Sequence, residues 1–147
     1  YILGPLGDNY DFNKSEAFTD LAIHEFGHSF VNHVLLENKK VLEKTKLLFA
    51  PIKAAMKKQG YSNWETCMIE HFVRAGEVIV RDLTENKIQS NFLFKTYVDN
   101  KKFIYLPFII SKLAYYRMQK ELDYDTAVLN TLIDLGKENH VTTKNKY

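Results

Sequence analysis

The stretch Ser15-Glu16-Ala17-Phe18-Thr19-Asp20-Leu21-Ala22-Ile23-His24-Glu25-Phe26-Gly27-His28-Ser29-Phe30-Val31-Asn32-His33-Val34-Leu35-Leu36-Glu37 decides how the fold is read. Apolar residues recur at Phe18, Leu21, Ala22, Phe26, Phe30 and Val34, a spacing that predicts an amphipathic helix, and Ser15 is placed to cap it. Downstream, a second helix is predicted over Lys39 to Gln59, kinked or split at Pro51 and ended by Gly60. A third, capped by Ser62 or Asn63, runs from Trp64 to about Asn86, with Cys67, Met68, Phe72, Ala75, Ile79 and Leu83 on its apolar side. The aromatic and β-branched residues from Asn91 to Asp99 predict a short strand or an extended loop. Two more helices, Pro107 to Leu122 and Asp125 to Lys137, precede a tail from Glu138 to Tyr147 that reads as frayed. Upstream, Tyr1 to Gly7 reads as a strand entering a turn. The expectation is a mainly α domain with at most a small β element near the N-terminus.

Composition narrows the possibilities. The 147 residues, 46% hydrophobic and 14% aromatic, supply one core and not two, so residues 1–147 read as a single domain, and a chain opening on Tyr1 reads as a fragment of a longer protein. Twenty Lys+Arg against 18 Asp+Glu leave a net charge of +2, which argues against nucleic acid or an anionic membrane surface as partner. The lysines of the second helix, Lys39, Lys40, Lys44, Lys46, Lys53, Lys57 and Lys58, read as a solvated face. A single cysteine, Cys67, excludes an internal disulfide framework, and the longest apolar run, Phe103 to Ala114, is broken by Pro107 and Lys112 and cannot span a membrane. These features leave the compartment open, with a lean toward a secreted or cell-envelope location.

Chemistry concentrates in His24-Glu25-Phe26-Gly27-His28. Side chains four apart on a helix lie on adjacent turns of one face, so two imidazoles can converge on one metal ion at roughly 2.0–2.1 Å. Glu25 stands about 100° round the helix, where a general base can reach a water activated by a zinc ion without displacing it. A catalytic zinc takes three protein ligands, so a third is needed. Val31 and Val34 stand where the metzincin continuation requires Gly and His, and His33, five residues past His28, points away from the metal face. Acidic and imidazole groups otherwise gather between Trp64 and Glu77. Periodicity there leaves Glu70 and His71 both open, with Glu65 and Glu77 behind them. Arg74, flanked by Glu70 and Glu77, reads as a stabilising surface arrangement, with a carboxylate that orients a ligand histidine as the alternative. Asn32, four residues past His28, is placed to hold the site's backbone or an imidazole, and Gly27 to admit a closely packed segment. Tyr105, Tyr115 and Tyr116 read as packing residues.

The strings HEFGHSFVN (residues 24–32) and EHFVRA (residues 70–75) resemble the gluzincin branch of the zincin metallopeptidases and, more narrowly, an uncharacterised family of bacterial zinc metallopeptidases. The resemblance covers roughly residues 15 to 80. It implies a zincin-like domain with Zn²⁺ bound by His24, His28 and Glu70, Glu25 as general base, His71 as hydrogen-bond donor to the substrate carbonyl or oxyanion, and a peptide or protein as substrate. Two other readings stay open: a zinc hydrolase acting on a non-peptide amide, and a non-catalytic interaction domain whose zinc site is structural or vestigial.

Overall fold

The computed structural model describes residues 15–84 and 86–144, with side chains from residue 18 to residue 138. The chain is mainly α, and no strand occurs among the described residues. The strand expected at Tyr1 to Gly7 lies outside them.

The first long helix, α1 (Ser15–Glu37), leads into α2 (Lys39–Thr45), a 3₁₀ turn (Lys46–Phe49) and α3 (Lys53–Lys57). Pro51 therefore splits the second predicted helix instead of bending it, because it lacks the N–H that an uninterrupted helix needs there. Gly60, at φ 93°, turns the chain out of α3 with a backbone that only glycine adopts without strain. α4 (Trp64–Leu83) begins where the Asn63 side chain accepts the Thr66 N–H at 2.9 Å, which settles the choice between Ser62 and Asn63 as cap.

The short strand or extended loop expected at Asn91 to Asp99 is overturned. These residues form the end of α5 (Lys87–Lys95) and a π-helical turn (Thr96–Asn100). Asn86 caps α5 by accepting the Gln89 N–H, and the Ser90 hydroxyl donates to the Val78 carbonyl, so the segment satisfies its backbone locally and hangs on α4. Aromatic residues that favour a sheet surface pack here on helices instead. α6 (Leu106–Arg117) carries Pro107 in its first turn, and α7 (Tyr124–Lys144) runs well past Lys137, so the helix continues through Lys144 where a frayed tail was expected.

α1 packs along α4 with α6 and α7 closing the other side. The core is built from Val31, Val34 and Leu35 of α1, Met68, Phe72 and Val73 of α4, Leu106 and Ile109 of α6, and Val128 and Leu132 of α7. Phe18, Phe26 and Phe30, expected on the buried stripe of α1, are instead exposed. The α1–α4 pair is antiparallel and in register: Asp20 meets Arg81, His24 meets Glu77, Gly27 meets Val73, and His28 meets Glu70. A Cβ at Gly27 would lie 3.1 Å from Val73 Cγ1, so glycine permits this spacing. No helix among the described residues is long and apolar enough to cross a membrane.

Candidate metal centre

α1 delivers His24 and His28 to the face that meets α4, and α4 delivers Glu70. Their nitrogen and oxygen donor atoms all lie within 4.8 Å of one another. His24 Nε2 and His28 Nε2 are 3.3 Å apart, and His28 Nε2 is 3.2 Å from Glu70 Oε1. Donors held at roughly 2.0–2.1 Å around a tetrahedral zinc are about 3.3 Å from one another, so these two edges have the size that this ion requires.

The outer nitrogens decide which way the imidazoles present themselves. His24 Nδ1 donates to Glu77 Oε1 at 2.7 Å, and His28 Nδ1 to Asn32 Oδ1 at 3.2 Å. A proton on Nδ1 of each ring satisfies these contacts and turns its Nε2 lone pair toward the other and toward the Glu70 carboxylate. Three acceptors facing one point repel unless a cation stands among them. The donor set therefore fits a metal such as zinc. The side chains of His24 and His28 keep 17% and 18% of their surface exposed, against 10% for Glu70, so the cluster sits at an edge that solvent reaches.

A second layer fixes the carboxylates. Arg74 holds Glu77 Oε1 at 2.8 Å and approaches Glu70 Oε2 at 3.5 Å, while its guanidinium stacks over the Tyr97 ring at 5.1 Å. Tyr97 donates its hydroxyl to Glu77 Oε2, and Tyr61 donates its own to Glu70 Oε2 at 3.1 Å. Burial and the Glu77 charge both hold the Tyr97 phenol protonated, and burial does the same for Tyr61. Burial alone would lower the Arg74 pKa, but Glu77 and the other partners outweigh it, and the guanidinium stays charged.

The structure corrects the surface reading of Arg74 and Glu77: Glu77 is only 5% exposed and aligns His24 from behind. A Glu-x₃-Arg-x₂-Glu run on a helix otherwise buried nearly all round was the available signal. Tyr61 and Tyr97 carried none, since neither lies near the motif in sequence. Asn32 and Gly27 take the places their spacing pointed to.

His71 is not brought to the site. It is fully buried, its Nδ1 donates to the Cys67 carbonyl at 2.8 Å, and its ring packs on Phe103 and Tyr105. Its Nε2 has no hydrogen-bond partner among the described residues, and burial pulls the imidazole down to about 4, so the ring is neutral. Adjacent positions on a helix point about 100° apart, and inward placement of Glu70 toward α1 sends His71 into the core. Burial likewise pushes the Cys67 thiol up to about 12, far from a thiolate ligand. His33 is exposed and pairs with Asp125 of α7 at 2.9 Å. Glu65 pairs loosely with Lys39, and Tyr105 donates to the Leu48 carbonyl at 2.6 Å as a packing residue does. Glu25 lies on α1 beside the cluster, partly exposed, and among the described residues no side chain pairs with its carboxylate.

Comparison with curated proteins and with solved structures finds no match. A family model described as "Domain of unknown function (DUF4932)" matches residues 6–125, which is most of the chain, and the protein belongs to that family.

Proposed function

We propose that this domain is a zinc-dependent peptidase in which His24, His28 and Glu70 hold the ion and Glu25 is the general base. One observation carries the reading: with Nδ1 of each histidine engaged, Nε2 of both and a carboxylate oxygen converge on one point, beside a glutamate one residue into the motif that no side chain among the described residues pairs with. Among the described residues the cluster has three members, the number a catalytic zinc takes from its protein. A bound zinc supplies Lewis acidity, making water a nucleophile near neutral pH and polarising the scissile carbonyl.

The chain's residues do the rest. Glu25 Oε accepts the proton of the attacking water as its oxygen bonds to the carbonyl carbon, then returns that proton to the amide nitrogen as the C–N bond breaks. Glu77 and Asn32 keep the histidines in the tautomer that can ligate, and Arg74 with Tyr61 fixes the free oxygen of Glu70.

The test is metal content followed by Glu25→Gln, assayed with casein and a peptide library. The expected result is one zinc per chain in both proteins and peptide cleavage by the parent alone. Undiminished cleavage by Glu25→Gln overturns the assignment of the base. Zinc bound with no cleavage of any peptide, but hydrolysis of small amides, moves the substrate class.

A further inference from the structure

A second site lies on the other flank of α1. Ile23, Phe26 and Phe30 are roughly 100–160° round the helix from Glu25 and line a cavity of about 700 Å³ with Phe72, Ile79 and Leu113. That volume is within the roughly 300–1,000 Å³ usual for small-molecule pockets. Gly27 and Val73, which meet between α1 and α4, line it, and none of His24, His28 and Glu70 does. We propose that this cavity binds a straight-chain fatty carboxylate.

Three observations point to that occupant. The first is the glycine in its wall. Gly76 sits in the middle of α4 and lines the cavity, yet a Cβ built there meets nothing within 4 Å. Neither close packing nor backbone angle asks for glycine, which is a poor helix former, and what its small size preserves is the depth of the pocket. The second is the charge at the rim. Arg117 and Lys120 line the cavity, and among the described residues neither has an ion-pair partner. Among the lining residues the one carboxylate is Asp123, which also caps α7 by accepting the Thr126 N–H at 2.7 Å, so the lining keeps a net positive charge. Two cations, with no ion-pair partner among the described residues, thus line an otherwise mainly apolar cavity. The third is the nature of the walls. A peptide would bring a backbone N–H and C=O per residue that apolar walls leave unsatisfied, whereas an acyl chain brings none. Phe26 and Phe30, 67% and 59% exposed, extend the apolar surface outward along the same flank.

The experiment is calorimetric titration of the intact chain with straight-chain carboxylates from octanoate to hexadecanoate, with the matching alcohols and a hydrophobic peptide as comparators. Binding should be saturable and tighten by up to about fourfold per added methylene until the cavity is full. Gly76→Leu fills the cavity while improving the helix and should weaken binding by roughly tenfold or more. Lys120→Glu with Arg117→Glu should weaken the carboxylate and leave the alcohol unchanged. These two positions are exposed and report independently should Gly76→Leu fold poorly. Absence of saturable binding, affinity indifferent to chain length, or the peptide binding more tightly than any carboxylate overturns the proposal. Neither outcome depends on zinc, whose content is measured in parallel.

Discussion

Glu77 shows how much of the candidate site depends on a side chain that touches no metal. It receives Nδ1–H from His24, the Tyr97 hydroxyl and the Arg74 guanidinium, all while nearly buried. Glu77→Ala should weaken zinc by about 10–100-fold, as loss of such an orienting partner commonly does, and should cost about 3 kcal/mol or more by leaving Arg74 partly buried without its closest anion. Glu77→Gln keeps an acceptor for His24 and should lie between parent and alanine in a chelator-competition titration. Equal zinc affinity in all three proteins would remove Glu77 from the site. His71 gives the opposite expectation: His71→Leu deletes an orphaned polar atom from an apolar setting, so stability in a urea titration should change by no more than about 1–2 kcal/mol. Zinc content should not change. The difference between these two residues was hard to read in sequence. Glu70, His71 and Glu77 all lie on one helix, and only the direction from which α1 approaches decides which of them face it.

That direction is a property of two elements together. The ladder from Asp20–Arg81 to His28–Glu70 holds only while α1 and α4 stay close, and at Gly27 a side chain would press on Val73. Gly27→Leu should cost about 1–3 kcal/mol by overpacking and should weaken zinc strongly, because separating the helices pulls Glu70 from His28. Adding Val73→Ala makes room for the new side chain and should restore part of both losses; strict additivity in the double-mutant cycle would mean that the two residues do not meet. Periodicity was enough to find α1, α4, α6 and α7, because long helices repeat their pattern over several turns. The histidine pair was legible for the same reason: one helical turn sets its geometry whatever the rest of the chain does. Glu70, forty-two residues past His28, is close only through tertiary packing, and a resemblance pointed to it where spacing did not. The segment around Phe94 and Tyr97 misled because aromatic residues serve a helix packed on a core as well as a strand. α1 misled in a subtler way: its phenylalanines keep helical spacing yet face outward, and Val31, Val34 and Leu35 carry its buried side.

At the scale of the whole molecule, the candidate ligands join two helices that are far apart in sequence and are central to the packing. A cation bound there ties α1 to α4 in the folded chain and finds no such cluster in the unfolded one, so zinc should raise stability by mass action. At free zinc one hundred times the dissociation constant the gain is about 2.7 kcal/mol. For a chain of this size each kcal/mol moves the melting temperature by roughly 2–4 °C, which makes the expected rise about 5–10 °C. Chelation should reverse it. Glu70→Ala should abolish the rise, since it removes a candidate ligand, whereas Glu25→Gln should keep it, since the proposed role of that carboxylate is off the metal. Differential scanning calorimetry on the three proteins, with and without zinc, separates the possibilities. A rise that survives in Glu70→Ala would mean that the ion sits elsewhere. A rise lost in Glu25→Gln would make Glu25 a ligand and leave the proposed hydrolysis without its base. If no protein responds, the facing lone pairs of His24 and His28 are relieved by a proton rather than a metal, and the peptidase reading falls with the metal.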